Sequence, residues 1–164
     1  MEYKSSLFVL PMTAGERKPV PYLQTPFAKL QAKFSPDSRF VAYASDESGR
    51  PEIYAQTFPE SGGKWQISTS GGVQPAWRAD GKELYYLAAD GKLMAVPVKT
   101  ATAFEAGAPV SLFETSVSPA FSVFSKLNYA VSPDGKRFLL AARTQAAQVQ
   151  PIRVVLNWTA ALKK

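Results

Sequence analysis

The chain has 164 residues, 46% hydrophobic and 20% charged, which is enough for one hydrophobic core and excludes an intrinsically disordered chain. It has neither cysteine nor histidine, which excludes disulfides, thiolate metal sites, a cysteine nucleophile and the commonest general base. The net charge of +6 would favour binding of a polyanion. The basic residues are scattered in runs no longer than pairs, however, and nucleic-acid binding normally needs a clustered basic face. We therefore do not expect a nucleic-acid partner.

The abundance of 13 Pro and 10 Gly predicts an all-β protein of short strands and tight turns, because both residues interrupt helices. Ser6 to Met12 reads as the first strand. Val20 to Thr25 reads as the second, and its flanking prolines confine it to the edge of a sheet. The apolar run Leu7–Leu10 is too short for a signal peptide or a membrane span, so we expect a soluble chain, periplasmic or cytoplasmic, without membrane insertion.

A turn followed by an apolar strand then occurs three times. In a four-residue turn, proline presets the second position, aspartate accepts local backbone hydrogen bonds at the third, and glycine is preferred at the fourth. Ser38 departs from this pattern, and a positive φ there would cost about 1 kcal/mol. The copies are 34–43, 77–86 and 131–140, and their turn residues are Pro36, Asp37, Asp80, Gly81, Pro133, Asp134 and Gly135.

The strands that follow the turns are apolar at consecutive positions. They are Phe40–Ala44, Leu84–Ala88 and Phe138–Ala142. A strand with one buried face would alternate apolar and polar residues, so these strands must be covered on both sides. The pattern therefore predicts sheets stacked on sheets.

Repeat spacing divides the chain into units of four antiparallel strands. Asp37 and Asp80 are 43 positions apart, and Asp80 and Asp134 are 54 apart, so the second interval holds an insertion. A period in the forties with four strands per unit is typical of a β-propeller blade. We predict a single partial propeller domain with a half blade at 1–27, a blade at 28–70, a blade at 71–126 with an insertion at 99–126, and an incomplete blade at 127–164.

The turn cores SPDS, RADG and SPDG, each followed by an aromatic or aliphatic strand, resemble the WD40-like PD40 repeats of the TolB-like β-propeller family. Together with the ending VVLNWTAALKK, they also resemble the C-terminal propeller region of bacterial eukaryotic-like serine/threonine kinases. The resemblance implies about three and a half blades and a sensing or docking role with a protein partner. It carries no kinase chemistry, because the glycine-rich nucleotide loop, the HRD motif and the DFG motif are all absent.

The candidate functional residues are few. We expect Asp37, Asp80 and Asp134 to close turns rather than to react, and we expect no metal and no cofactor, since no loop collects the oxygen ligands that calcium needs. Serine has no histidine to activate it, so we expect no enzyme. The tryptophans and most tyrosines fit core positions better than a ligand surface. Propeller geometry favours five binding residues: Lys33, Gln74, Arg78, Phe121 and Phe124.

These observations predict a non-catalytic protein-interaction or sensor module built on propeller repeats. One alternative is a propeller enzyme or a carbohydrate- or small-ligand-binding domain that uses the central channel, and another is polyanion binding through the basic surface. A partial ring leaves unpaired strand edges, so we expect a homo-oligomer or a part of a larger propeller. In the first case, Val20 to Thr25 of one chain would complete the blade that ends at Trp158 of another.

Overall fold

The computed structural model describes residues 5–12, 17–60, 62–101, 103–122 and 126–141. Within these ranges the regular secondary structure consists of β-strands alone, and every strand pair is antiparallel. This confirms the all-β prediction. No helix in this part of the chain could cross a membrane. The strands are β1 (Leu7–Val9), β2 (Val20–Leu23), β3 (Lys29–Phe34), β4 (Phe40–Ser45), β5 (Glu52–Thr57), β6 (Lys64–Gln66), β7 (Gly72–Trp77), β8 (Glu83–Ala88), β9 (Lys92–Lys99), β10 (Glu105–Ala106), β11 (Val110–Glu114), β12 (Tyr129–Val131) and β13 (Phe138–Leu140).

The strands form four separate sheets. The N-terminal pair is β1–β2, and the first sheet has the order β3-β4-β5-β6. In the second sheet, β7, β8 and β9 are neighbours, and both β10 and β11 pair with β9. The C-terminal pair is β12–β13. Among the described residues no sheet closes into a barrel or ring, so the predicted blade arrangement is not established by the strand pairing.

Strand β4 is buried on both faces, as predicted. Phe40, Ala42 and Ala44 enter a central cluster between the first and second sheets. Val41 and Tyr43 enter an N-side cluster, which Leu23 and other residues of the N-terminal pair cover. Successive side chains of a strand point to opposite faces, so the first sheet is the middle layer of a stack.

The second sheet is likewise covered on both faces. Leu84 and Tyr86 of β8 join the central cluster, whereas Tyr85 and Leu87 enter a C-side cluster that Tyr129 and Phe138 of the C-terminal pair help to form. The order of layers is therefore N-terminal pair, first sheet, second sheet, C-terminal pair.

The prediction of double burial is wrong for the third copy within the described residues. Phe138 and Leu140 face the C-side cluster, but Leu139 between them is 77% exposed. The reason is that no described element packs on the far face of β13. Residue 142, the rest of the predicted last blade and Trp158 lie outside the described residues.

The three turns have the predicted chemistry. Each aspartate accepts a hydrogen bond from the backbone N–H two residues later, at 3.1 Å for Asp37, 3.0 Å for Asp80 and 3.0 Å for Asp134. Ser38 has a φ of 56°, the left-handed conformation that Gly81 and Gly135 adopt in the other copies. These aspartates therefore close turns on the surface.

The insertion at 99–126 supplies strands and a covering segment. β11 adds to β9 as the outer strand of the second sheet. After it, Val117 is buried in the C-side cluster, and Phe121 packs against both the central and the C-side clusters. The segment thus spans the junction between the two large sheets.

Candidate functional site

The opening strands of three consecutive sheets, β3, β7 and β12, lie side by side. A groove of about 330 Å³ runs along them. Its lining includes Lys33, Phe34, Gln74, Trp77, Leu127 and Tyr129. This groove, called the inner groove below, contains two of the residues predicted to bind a ligand.

Matching β-bulges shape the inner groove. The register of β3 against β4 shifts between Leu30 and Lys33, and that of β7 against β8 shifts between Val73 and Ala76. Gln31 has a φ of 58° and Gln74 a φ of 57°, a conformation uncommon for residues other than glycine. A bulge redirects a side chain out of the regular alternation. Here it directs the two amide side chains toward neighbouring elements instead of along their own sheet.

The amides connect one sheet to the next. Gln31 Oε1 accepts the backbone N–H of Gln74 at 2.8 Å. Gln74 Oε1 in turn accepts the backbone N–H of Asn128 at 2.9 Å. The separations of 43 and 54 residues are those of the repeated turns, so Gln31, Gln74 and Asn128 hold equivalent positions. We call these three residues the amide series.

Gln74 is a structural centre of the groove. Its side chain also donates to the carbonyl oxygen of Lys126 at 3.1 Å, and its own carbonyl accepts the hydroxyl of Tyr129 at 2.7 Å. Gln74 is only 1% exposed, and burial also raises the pKa of Tyr129 well above its usual value. Because both ends of the Gln74 amide are bonded within the protein, it fixes the wall of the groove.

Lys33 is the cationic group of the inner groove. Its side chain is half-buried, and no carboxylate of the described residues pairs with its ammonium. The Trp77 indole N–H donates to the Lys33 carbonyl at 3.2 Å, which holds the indole ring beside β3. Phe34 is 52% exposed at the same place. A cation beside aromatic surface suits a small ligand that carries both a negative group and apolar C–H faces.

Arg78 lies outside the lining of the inner groove and is engaged in ion pairs. Its guanidinium is bidentate to Asp80 at 2.6 and 2.7 Å and lies 3.1 Å from Glu83. The hydrogen bonds to Asp80 raise the pKa of Arg78, and those from Arg78 lower the pKa of Asp80 to about 2. Arg78 therefore secures the second turn.

Phe121 lines a second groove of about 230 Å³, together with residues such as Arg50 and Gly71. Since its ring also packs on both clusters, it anchors the covering segment. Phe124 lies outside the described residues, so its predicted binding role stays a prediction.

Glu52 is the most deeply buried carboxylate among the described residues, at 1% exposure. Its Oε1 accepts from Arg50 Nε at 2.7 Å and from the backbone N–H of Gly71 at 2.9 Å, and its Oε2 accepts from the Ser68 hydroxyl. These bonds join two loops and occupy both oxygens. No group of three potential metal-ligating side chains occurs in the described ranges.

Sequence reasoning missed Gln31 and Asn128. A signal was present, because Gln31, Gln74 and Asn128 each stand six positions before the repeated aspartate of their own copy. Comparing the residues upstream of each turn, as well as the turns themselves, would have identified the amide series.

No family model and no curated protein matches the chain. Seventeen chains of known structure do match. One is the crystal structure of a "putative 6-phosphogluconolactonase" from Bacteroides uniformis, with a TM-score of 0.57 and 16% identity over 85% of this chain. The alignment covers 41% of that protein, so the present chain spans less than half of its length. At this identity the likeness concerns the fold.

These comparisons correct two predictions. The resemblance to TolB-like and WD40-like PD40 repeats and to the kinase propeller region is wrong, because no family model supports it and the matching structure described above bears the name of a different kind of protein. The prediction of a non-catalytic protein-interaction or sensor module is wrong as well, since the same structure bears the name of an enzyme and agrees better with the alternative of a propeller enzyme or small-ligand-binding domain. The physical reason is that SPDS, RADG and SPDG encode turns, which proteins of different function share.

Proposed function

We propose that this chain is a segment of a β-propeller and that its inner groove binds a small anionic ligand of the carbohydrate class. Support for the propeller arrangement comes from the consecutive antiparallel sheets, the double burial of β4 and β8, and the likeness to a larger protein of similar fold. In this arrangement the opening strands β3, β7 and β12 face the centre of the ring, where propellers have their channel.

One observation carries the proposal: Lys33, a partly buried lysine that forms no ion pair with a described carboxylate, lines a groove together with the aromatic residues Phe34, Trp77 and Tyr129. Sugar rings offer C–H faces that pack on aromatic surfaces, while a carboxylate or phosphate on the sugar pairs with the lysine. A neutral sugar would gain only the first of these contacts.

In this proposal the groove contributes binding: its titratable side chains are Lys33, which meets the ligand, and Tyr129, whose hydroxyl donates to the Gln74 carbonyl. Its described lining contains no carboxylate, and the chain has no histidine. Hydrolysis of a sugar ester or glycoside needs a positioned general acid or base. We therefore propose that the segment holds a ligand and that any reaction requires groups from elsewhere.

Calorimetric titration tests the ligand class with three probes: 6-phosphogluconate, gluconate and glucose. We expect affinity to decrease in that order, because the negative charge on the ligand decreases. Lys33→Gln should weaken binding of 6-phosphogluconate about tenfold and leave glucose nearly unaffected, as expected for one partly buried charge pair. Lys82→Gln is the matched control, since Lys82 is an exposed lysine of the second turn outside the lining.

Equal weakening by the two lysine variants would show a general charge effect and refute the groove as the site. Trp77→Phe provides a second check. It keeps an aromatic wall but removes the indole N–H bond to Lys33, so we expect a smaller loss of affinity than for Lys33→Gln.

A further inference from the structure

The second groove, of about 230 Å³, shares no lining residue with the inner groove. It lies where the loop before β5, the start of β7, the end of β8 and the covering segment meet. Pockets for drug-sized ligands measure about 300–1,000 Å³, so this smaller groove suits a compact body such as a single ring. Its apolar walls are formed by Pro51, Val73, Leu87, Ala89, Pro119 and Phe121.

Arg50 supplies the one charged side chain of this lining in the part of the chain that the structure describes. Its Nε donates to Glu52 Oε1 at 2.7 Å, and its Nη2 donates to the carbonyl oxygen of Thr69. A guanidinium is planar, so two bonds from different nitrogens fix its orientation. Its Nη1 has no described partner and is available to a ligand.

Glu52 supports Arg50 from below. This carboxylate is 1% exposed, and it also accepts the backbone N–H of Gly71 and the hydroxyl of Ser68. The Arg50–Glu52 ion pair balances the arginine charge locally. A small inorganic anion therefore gains little at this place, whereas a ligand that combines apolar contact with a hydrogen bond to the guanidinium gains from both.

We propose that the second groove binds a small carboxylate with a compact apolar body, such as a single-ring or branched-chain acid. The body packs against the apolar walls, and the carboxylate accepts hydrogen bonds from Arg50 Nη1. The groove is separate from the inner groove, so this inference is independent of the sugar ligand proposed above.

NMR titration of the full chain tests the site with three probes: benzoate, benzamide and acetate. Benzoate should shift the backbone N–H signals of Gly71, Gly72, Val73 and Ala89, which belong to the lining. Benzamide has the same ring without the charge and should bind about fivefold more weakly, because hydrogen bonds to a charged acceptor are stronger. Acetate lacks the apolar body and should bind more weakly than benzoate as well.

Two variants change the groove in different ways. Arg50→Lys keeps the positive charge beside Glu52 but loses the planar donor fork, so benzoate should bind about fivefold more weakly and benzamide nearly as before. Ala89→Leu leaves Arg50 and Glu52 in place and adds bulk at the lining, so both ring compounds should bind more weakly.

Arg39→Lys is the matched control. Arg39 is 50% exposed against 57% for Arg50, it also pairs with a carboxylate and donates to a backbone carbonyl, and it lies outside the second groove. Its substitution should leave benzoate binding unchanged, and circular dichroism should show all three variants folded.

Three outcomes would overturn the inference. One is benzoate shifts that are absent from the four lining amides or confined to the inner groove. Another is equal affinity for benzoate and benzamide. The third is benzoate binding that Ala89→Leu leaves unchanged, because a loss in Arg50→Lys alone would then reflect a disturbed Glu52 contact and not an occupied groove.

Discussion

Strands β8 and β13 have similar apolar sequences after similar turns, yet their surroundings differ. In β8, Leu84 and Leu87 are 0% exposed because sheets lie on both faces. In β13, the alternate residues Phe138 and Leu140 are covered while Leu139 is 77% exposed. The apolar residues of a strand set how much apolar surface it can bury, and the layers packed against it determine how much of that surface is buried.

Truncating the leucines should give the largest contrast. Leu84→Ala removes a fully buried side chain and should lower the free energy of unfolding by about 3 kcal/mol. Leu139→Ala should change it by less than about 0.5 kcal/mol in dilute, unassociated protein. Urea denaturation followed by circular dichroism measures both. Similar losses would mean that the far face of β13 is covered.

The amide series offers a similar contrast with polar groups: the Gln74 amide is bonded at both ends within the protein, whereas the Asn128 oxygen has no described partner. Gln74→Met leaves the Asn128 N–H and the Lys126 carbonyl without their partner, so it should cost about 2 kcal/mol. Asn128→Leu removes an oxygen that has no described partner and one hydrogen bond of 3.4 Å to the Ser118 carbonyl, so it should cost less. The backbone N–H of residue 128 should exchange with solvent faster in the Gln74→Met variant, and its exchange rate should stay unchanged in the Asn128→Leu variant.

Substitution of the turn glycines should have different effects in the second and third copies, because different side chains lie near them. A Cβ on Gly135 would come within 2.5 Å of Arg78 Cδ and 2.8 Å of the Tyr85 hydroxyl, whereas a Cβ on Gly81 has nothing nearer than 3.8 Å. Both have positive φ, so each alanine variant should cost about 1 kcal/mol, with an added steric cost at Gly135.

In the first turn the opposite substitution, to glycine, should stabilise the protein. Ser38 has a φ of 56°, and Ser38→Gly should relieve strain and raise the free energy of unfolding by about 0.5 kcal/mol. Thermal melts of the three turn variants compare these effects directly. A destabilised Ser38→Gly variant would show that the serine makes a compensating contact.

The smallest expected effect concerns the stability of the protein at low pH. Arg78 lowers the pKa of Asp80 to about 2, so the stabilisation from this carboxylate is present above its usual pKa and disappears as the pH falls through about 2. The Asp80 side chain is exposed to solvent, which limits the gain. Asp80→Asn should slightly flatten the decline of stability below pH 4, measured by urea denaturation. An unchanged slope would assign the decline to other carboxylates.

Much of the local structure follows from the sequence. Proline, aspartate and glycine at fixed offsets specify the turns, and consecutive apolar residues specify strands that need cover on both faces, as β4 and β8 have. These features depend on backbone sterics and on neighbours within a few residues, so a linear pattern contains them.

Other features depend on contacts between distant residues. The left-handed bulges at Gln31 and Gln74 and the amide hydrogen bonds across 43 and 54 residues came from the structure. The turn motifs also suggested a family that the comparisons do not support, because turns record backbone geometry and not ligand chemistry. The sequence by itself determined an all-β chain of repeated turns and doubly apolar strands. Only the tertiary structure decided which faces are covered and that Lys33 lies in a groove, since both depend on how separate sheets stack.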